Sequence, residues 1–268
     1  MAVFTELSDG DRQWITAAYG FTSLSSVIGI ADGDTDTTYL FRAQEGEFIV
    51  TLFENGVQPL DLERAFETME ALFQNGVPCP RPLRTLQGHA TCRAADRLVA
   101  TVSFVQGSSS TLAGPAKCRS LGRTMAQIHS VLERKTKPLA PALPTGTVHG
   151  ALAQANVFFV GNDVSGIINF RLRHDDAFVS EIADVLVGWV AEPGGELNKD
   201  RARALLQGYE EVRQLTAPEK EALPGFIMAS TARRLASQKE GSFLPEVAVL
   251  AYRSATSDIL GSPSALTP

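Results

Sequence analysis

The stretch HGALAQANVFFVGNDVSGIINF, His149 to Phe170, decides the fold of this 268-residue chain. Residues 157–160 and 166–170 are short apolar runs, and the sequence GNDVS between them is a strong turn signal, so together they predict a β-hairpin. Folding the chain about this turn brings Asn156, just before the first strand, alongside Asn169, near the end of the second. The sequence therefore predicts that two carboxamides converge beside the loop that begins the stretch.

This layout is the one that kinase-like phosphotransferases use: a His-x-Asp-x-x-x-x-Asn loop, then a hairpin, then an Asp that holds the metal. His149 and Asn156 are in register with it, but Ala151 occupies the position of the base and Asn169 that of the metal ligand. Alanine cannot orient or deprotonate an acceptor hydroxyl. Mg²⁺ beside substrate phosphates usually relies on one or two carboxylates, and the amide of Asn169 carries no charge. The pattern predicts the layout of a phosphotransferase without its two acids.

A β-rich region precedes the quoted stretch. Alternating apolar residues between Gly29 and Glu54 predict a hairpin about Glu45-Gly46, and apolar residues at helical spacing predict a helix over about 61–75. The prolines of VPCPRP, 77–82, exclude helix there. A further strand pair is expected to end in RLVATVSFVQG, 97–107.

The rest of the chain is mostly helical in pattern. Apolar residues at helical spacing predict helices over about 117–134, 180–191, 198–213, 218–238 and 245–258. A linker is expected at Ser108 to Ser110. We therefore predict two domains, an N-terminal β-rich lobe over 1–107 and a C-terminal helical lobe over 108–268 that contains the hairpin.

Composition limits the classes of partner. The chain has 24 Lys and Arg against 30 Asp and Glu, a net charge of −6, so it lacks the basic surface that nucleic acid or an anionic membrane requires. Three widely spaced cysteines, Cys79, Cys92 and Cys118, suit a reducing compartment, and we expect buried free thiols. No run of the sequence reaches membrane-spanning length. These features predict a cytoplasmic, soluble protein with no nucleic-acid or membrane partner.

The chain resembles bacterial homoserine kinases of the aminoglycoside phosphotransferase and choline kinase-like superfamily, as a degenerate member. GIADGDTDTTYLFRAQEGEFIVTLFE, 29–54, is similar to the family's phosphate loop and following strands, and VSFVQG, 102–107, to the hinge that lines the adenine pocket. TVHGALAQANVFFVGNDVSGIINF, 147–170, is similar to the catalytic hairpin, and DDAFVSEIADVLVGW, 175–189, continues the match. The resemblance covers nearly the whole chain and implies an α+β, two-lobed protein kinase-like fold.

The departures from the family are as specific as the matches. The resemblance carries the catalytic Asp onto Ala151, the metal-binding Asp onto Asn169, and the Asp before the metal-binding Asn156 onto Ala155. Family members also carry a longer helical insertion between the helix ending near His129 and the catalytic loop. Here it is reduced to a proline-rich bridge, which implies a shortened acceptor cap.

The resemblance also implies which residues would contact a nucleotide. The phosphate loop, the first lobe helix and the hinge supply the candidates Gly33, Thr35, Thr37, Glu70, Ser103 and Val105. Glu70 falls where the superfamily often places a partner for a nucleotide-binding lysine, yet EFIVTLF, 47–53, contains no basic residue. We expect Glu70 to make a surface or capping contact instead.

Several acids and histidines near the hairpin have two interpretations. Asp176 and Glu181 fall on acidic positions of the family, and Glu181 is expected to brace the loop through backbone or His149 hydrogen bonds. Alternatively Asp175, Asp176 and Glu181 are the carboxylates of another reaction. His149 is either a catalytic imidazole or, as we favour, a structural residue that holds the loop. His129 is not part of any recognisable set of candidate site residues in the sequence.

The first functional hypothesis is a homoserine kinase-like pseudokinase without phosphotransfer, which binds a small metabolite or a partner protein. No cofactor is certain, and ATP and Mg²⁺ are expected only if residual kinase-like binding survives. The alternative is a repurposed enzyme of the small-molecule phosphotransferase fold. It would phosphorylate an amino-acid or amino-alcohol hydroxyl weakly with ATP, or run a different reaction in the same cleft.

Overall fold

The chain forms two compact units, Met1–Val105 and Gln106–Pro268. The computed structural model describes residues 5–30, 35–134, 143–192, 196–237 and 245–256. The sequence places the division between lobes after residue 107, two residues later than the division between the units.

The first unit is a six-stranded antiparallel sheet with two helices. Its elements are α1 (Asp9–Tyr19), β1 (Leu24–Ile30), β2 (Thr37–Ala43), β3 (Gly46–Phe53), α2 (Pro59–Gln74), β4 (Pro82–Leu83), β5 (Thr91–Ala94) and β6 (Arg97–Ser103). The strand order is β1-β2-β3-β6-β4, and β5 also pairs with β6. The predicted hairpin about Glu45-Gly46 is β2-β3, in which Ala43 pairs with Gly46.

The local sequence explains where α1 begins and where α2 ends. Ser8 caps α1, since its hydroxyl accepts the N–H of Asp11 while the Asp11 carboxylate accepts the N–H of Ser8. Sequence reasoning missed both α1 and β1. Helix α2 ends before Gly76, whose φ of +75° is the left-handed conformation that glycine adopts most easily.

The second unit is mostly helical and carries two small antiparallel sheets. Its elements are α3 (Pro115–Leu132), β7 (Thr145–Val148), β8 (Val157–Val160), β9 (Asp163–Ile167), β10 (His174–Ala177), α4 (Phe178–Val190), α5 (Lys199–Glu210), α6 (Ala217–Ser237) and α7 (Pro245–Ser254). Strand β7 pairs with β10, and β8 with β9. Helix α4 is buried on nearly all sides, consistent with its almost continuous apolar sequence. The predicted helices occur with ends shifted by a few residues, and the predicted ends at 238 and at 257–258 lie outside the described residues.

The hairpin within the quoted stretch is tighter than the sequence predicts. The second strand, β9, begins already at Asp163, so the turn is only Gly161-Asn162, with Gly161 at a φ of +63°. Residues 168–170 were predicted as strand, but they leave the pairing instead. Asn169 has φ 70° and ψ 51° and precedes a single 3₁₀ turn, Phe170–Leu172. The chain therefore changes direction at the position of the expected metal ligand.

Other sequence expectations concern cysteines and membranes. All three cysteines are free, and Cys79 and Cys118 are buried as expected, whereas Cys92 is partly exposed. Among the helices that the structure describes, none combines the length and the apolar character needed to cross a bilayer.

Candidate functional site

Residues 149–156, which align with the His-x-Asp-x-x-x-x-Asn pattern, are called the catalytic-type loop. His149 holds the start of this loop through both of its ring nitrogens. Its Nε2 lies 2.9 Å from the carbonyl oxygen of Ile168, which can only accept, so Nε2 carries the hydrogen. Its Nδ1 is then the acceptor for the N–H of Ala151 at 3.2 Å. Burial lowers the pKa of His149, although the Glu181 charge and the bond to Ile168 oppose that shift. A neutral imidazole with both nitrogens engaged is a structural group.

Ala151 and Asn156 lie at the two ends of the same loop. The Asn156 side-chain Nδ2 donates to the carbonyl oxygen of Ala151 at 2.9 Å, which closes the loop on itself. Ala151 is half-buried and lines a pocket of the second unit. The loop is thus held by its own hydrogen bonds, and the residue that it presents to the pocket is an alanine.

Asn169 lies next to this loop but offers no charge. The backbone N–H of Ile168 donates to the carbonyl of Asn156 at 3.0 Å, which brings the chain at Asn169 beside the loop. Asn169 is exposed and left-handed, a conformation that asparagine tolerates better than most residues. No cluster of three or more His, Cys, Asp and Glu residues that could hold a metal occurs in the described part of the chain. Two amides do not fit the carboxylate-dependent Mg²⁺ site of kinase-like enzymes.

Glu181, near the start of α4, is the buried acid beneath the loop. Its Oε1 accepts the backbone N–H of Gly150 at 2.7 Å, and its Oε2 accepts Nε2–H of His129 at 2.9 Å. Burial alone would raise the pKa of Glu181, but the bond from His129 and the other favourable contacts outweigh it, so the pKa lies below its usual value. Of the two expected ways in which Glu181 would brace the loop, the structure has the bond to the backbone, at Gly150, and His129 supplies the second contact of the carboxylate.

His129 belongs to a buried polar chain that sequence reasoning missed. Its Nδ1 lies 2.8 Å from the hydroxyl of Tyr209, which in turn accepts a hydrogen bond from Arg213 at 3.0 Å. Arg213 pairs with the buried Glu219 at 3.0 Å. One direction of donation satisfies every member: Arg213 donates to Tyr209, Tyr209 to His129, and His129 to Glu181. Three helices, α3, α4 and α5, are thereby tied to the catalytic-type loop.

The two aspartates of β10 point to opposite sides of the strand, as successive strand residues do. Asp175 accepts the Thr147 hydroxyl at 3.0 Å and pairs with Arg134. Asp176 accepts the N–H of Ala177 at 2.7 Å and lines the pocket beside Ala151. Only the second aspartate therefore lies where a ligand of this pocket would meet it.

The pocket beside Ala151 lies within the second unit and has a volume of about 130 Å³. Its polar lining includes His174, Asp176, Ser180, Asp184 and Arg234. Sequence reasoning did not single out His174. His174 precedes Asp176 by two residues on β10 and shares its face, but the sequence HDDA gives no strand pattern from which this could be predicted.

The candidates of the phosphate loop in the first unit are only partly described. Gly33 lies outside the described residues, and Thr35 is exposed. Thr37 is fully buried, donates its hydroxyl to Glu54 at 2.6 Å and accepts the N–H of Thr5 at 3.1 Å. Its hydroxyl is therefore engaged within the unit.

Two of the three remaining nucleotide candidates, Glu70 and Ser103, also have partners within the first unit. The Arg84 guanidinium donates from Nε to Oε1 of Glu70 at 2.6 Å and from Nη2 to Oε2 at 2.9 Å. Glu70 therefore forms an ion pair with Arg84 and is not available to pair with a lysine. Ser103 accepts the N–H of Arg81 at 2.8 Å, and Val105, just after β6, is half-buried. Strand β3 carries no basic residue.

Comparison with known proteins settles the family. Residues 26–140 and 132–215 match the profile of APH, the phosphotransferase enzyme family. The chain belongs to the phosphotransferase enzyme family. The homoserine kinase of Methylobacterium radiotolerans is 34% identical, with 84% of this chain and 83% of that protein covered. The homoserine kinase of Parvibaculum lavamentivorans is 32% identical, with 88% and 86% covered. The predicted resemblance to homoserine kinases is confirmed.

Solved structures of this phosphotransferase fold match nearly the whole chain. An amicoumacin kinase in complex with AMP-PNP and Ca²⁺ has a TM-score of 0.65 at 15% identity, with 94% of each chain covered. A microcompartment-associated aminopropanol kinase has a TM-score of 0.64 at 17% identity, with 92% of this chain and 94% of its own covered. At identities this low, the matches are evidence about the fold alone. They confirm the predicted kinase-like α+β fold class.

Proposed function

We propose that this member of the phosphotransferase family is a pseudokinase, a homoserine kinase-like protein that binds a small metabolite and does not transfer phosphate. One observation carries the proposal. Ala151 presents a methyl group at the base position of a loop whose other members, His149, Gly150 and Asn156, all keep their hydrogen bonds. The support for the reaction centre is intact, and the group that reacts is missing.

The magnitudes favour this proposal over slow catalysis. A positioned general base contributes roughly 10²- to 10⁴-fold, which is about 3 to 5 kcal/mol of barrier. The amide of Asn169 removes a second charge, the one that would neutralise phosphate through Mg²⁺. In the first unit, Glu70 is held by Arg84, and β3 supplies no cation for the phosphates. Three separate parts of the phosphoryl-transfer apparatus are thus altered.

The size of the pocket favours a small ligand. An apolar cavity of about 150 Å³ holds a benzene molecule, so the pocket of about 130 Å³ beside Ala151 suits a ligand of similar, small size. Its lining carries acids, Asp176 and Asp184, together with the cation of Arg234. Groups of both signs suit a zwitterion or an amino alcohol, the chemical classes to which homoserine and aminopropanol belong. Because the three cysteines are unpaired, we place this function in the cytoplasm.

A binding experiment tests the proposal directly. Thermal unfolding is followed with L-homoserine and with 1-amino-2-propanol, each with and without ATP and Mg²⁺. We expect at least one amine to raise Tm without nucleotide, because a ligand stabilises in proportion to RT ln(1 + [L]/Kd). No shift with either amine at millimolar concentration would contradict a metabolite-binding role and favour a partner protein as the ligand. A shift that requires ATP and Mg²⁺ would favour a residual kinase.

A second candidate function is a repurposed enzyme that uses the same pocket. The observation that favours it is the position of Asp176, whose carboxylate lines the pocket 3.9 Å from Nε2 of His174. Such a pair could serve acid-base chemistry. Of the three carboxylates that the sequence suggested, Asp175 is turned to Arg134 and Glu181 is fully engaged beneath the loop, which leaves Asp176.

A further inference from the structure

His174 lies against the backbone of the loop that lost its aspartate. A Cβ placed on Gly150 would lie 2.8 Å from Nδ1 and 2.9 Å from Cε1 of His174, so the imidazole ring contacts Gly150 closely. Gly150 also has a φ of +77°, so both its backbone conformation and the close contact with His174 favour glycine at this position. The ring of His174 therefore occupies space immediately beside Ala151, within the same pocket lining.

The hydrogen bonds of His174 fix which ring nitrogen remains able to accept a hydrogen bond. Its Nδ1 lies 3.1 Å from the carbonyl oxygen of Leu172, which can only accept, so Nδ1 carries the hydrogen. In the neutral ring Nε2 then holds a lone pair. Nε2 has no hydrogen-bond partner in the described part of the chain, and its closest ion-pairing group is Asp176 Oδ2 at 3.9 Å. The pocket is thus lined by a histidine whose Nε2 can accept a hydrogen bond from a ligand.

Two acids around the pocket are already engaged. Glu181 accepts from Gly150 and His129, and Asp184 pairs with Arg233 at 2.8 Å. His174, in contrast, is 54% exposed in its side chain, so a ligand can reach it.

We propose that Nε2 of His174 accepts a hydrogen bond from the hydroxyl of the bound amino acid or amino alcohol, in place of the aspartate that Ala151 replaces. This inference rests on the proposed function, because it names the group that recognises the ligand of the same pocket. The hydrogen stays on the ligand oxygen, so no bond is broken. His174 is a specificity-determining residue of a binding protein, and it distinguishes a hydroxyl from a methyl group.

Binding of two isosteric ligands tests the proposal. Calorimetric titration compares L-homoserine with L-norvaline, in which a methyl group replaces the hydroxyl, at about pH 8, where an ordinary imidazole is neutral. We expect the unaltered protein to prefer homoserine by about 3- to 10-fold, the range of one neutral hydrogen bond. His174→Ala should abolish that preference, and His174→Gln, whose side-chain oxygen can accept, should restore part of it. His89→Ala, at an exposed histidine of the first unit, is the matched control and should keep the full preference.

The outcomes separate the two proposals. Binding of both ligands with equal affinity by the unaltered protein, or an unchanged preference in His174→Ala, overturns the role of His174 and leaves the proposed function standing. Binding of neither ligand overturns the role of His174 in recognising the hydroxyl of an amino acid, and it overturns the proposed function as well if 1-amino-2-propanol also leaves Tm unchanged. Should His174→Ala fail to fold, ¹⁵N NMR of the unaltered protein decides: homoserine, but not norvaline, should shift the Nε2 resonance of His174, and an equal response to both ligands contradicts the proposal.

Discussion

The carboxylate of Glu181 accepts the backbone N–H of Gly150 at 2.7 Å, so a buried charge holds the residue next to Ala151. His129 donates to the other carboxylate oxygen. The support beneath the loop is therefore complete although the loop carries no catalytic acid. A protein that only needed this segment to fill space would not require a buried, hydrogen-bonded charge at this point, since such a charge is costly to bury.

Replacing Glu181 with glutamine is expected to destabilise the protein by about 2 to 3 kcal/mol, the cost of losing hydrogen bonds to a buried charged acceptor. The amide can accept from Gly150 or from His129, but its NH₂ group then faces the other donor. Urea unfolding measures the loss. Asp163→Asn, at an exposed carboxylate in β9, is the control and should change stability by less than about 0.5 kcal/mol. Equal stability of the two variants would show that the Glu181 contacts carry no free energy.

Stability should fall as the pH falls through the range in which histidine titrates. The pKa of His149 is lowered in the folded protein, so the unfolded chain binds the proton first, and the contribution present above about pH 6.5 is lost below it. One such group gives a slope of at most about 1.4 kcal/mol per pH unit. Urea midpoints between about pH 8 and pH 5.5 measure it. His149→Gln should flatten this slope, and an unchanged slope in that variant would rule His149 out as its origin.

How much of this site was predictable depends on how local its causes are. The β8-β9 hairpin could be read because its turn residues and apolar strands are adjacent in sequence, and α4 because its apolar run is nearly continuous. Strands β7 and β10 were missed: each has four residues, HDDA contains no apolar alternation, and their pairing joins distant segments.

The role of His129 could not be predicted from the sequence. A single histidine on a helix has no partner within its own turn, and its contacts to Glu181 and Tyr209 lie 52 and 80 residues away in sequence. Those contacts form only when α3, α4 and α5 pack. The left-handed Asn169 and the turn of only two residues depend likewise on where β9 pairs, which the apolar pattern alone leaves open by a few residues.

Two glycines set the packing distance between α3 and α5. A Cβ on Gly122 would meet the carbonyl of Leu205, and one on Gly208 would meet the carbonyl of Arg119. Gly122→Ala and Gly208→Ala should each destabilise by about 1 to 3 kcal/mol or more, because the helices must move apart. Gly225→Ala in α6 has open space and should stabilise by up to about 1 kcal/mol. Thermal or urea unfolding of the three variants checks this order, and a Gly122→Ala protein as stable as Gly225→Ala would contradict the close approach.

The neighbouring aspartates of β10 should behave differently toward a ligand. Asp176→Asn is expected to weaken binding of L-homoserine by about 5- to 10-fold, since it removes a charge from the pocket lining. Asp175→Asn changes the same charge one residue away, on the face occupied by Thr147 and Arg134, and should leave homoserine affinity within about twofold. Calorimetric titration compares the two. The reverse order would mean that the ligand binds on the other face of the strand.

The central claim is that Ala151 and Asn169 leave the chain without phosphotransfer. The most direct measurement is ADP formation from ATP in the presence of Mg²⁺ and L-homoserine, with the homoserine kinase of Methylobacterium radiotolerans assayed alongside to show that the conditions support the reaction. We predict that this protein forms ADP no faster than a buffer blank while the comparison enzyme turns over. Homoserine-dependent ADP formation at about 1 to 100 s⁻¹, the ordinary range of kinases, would contradict the account.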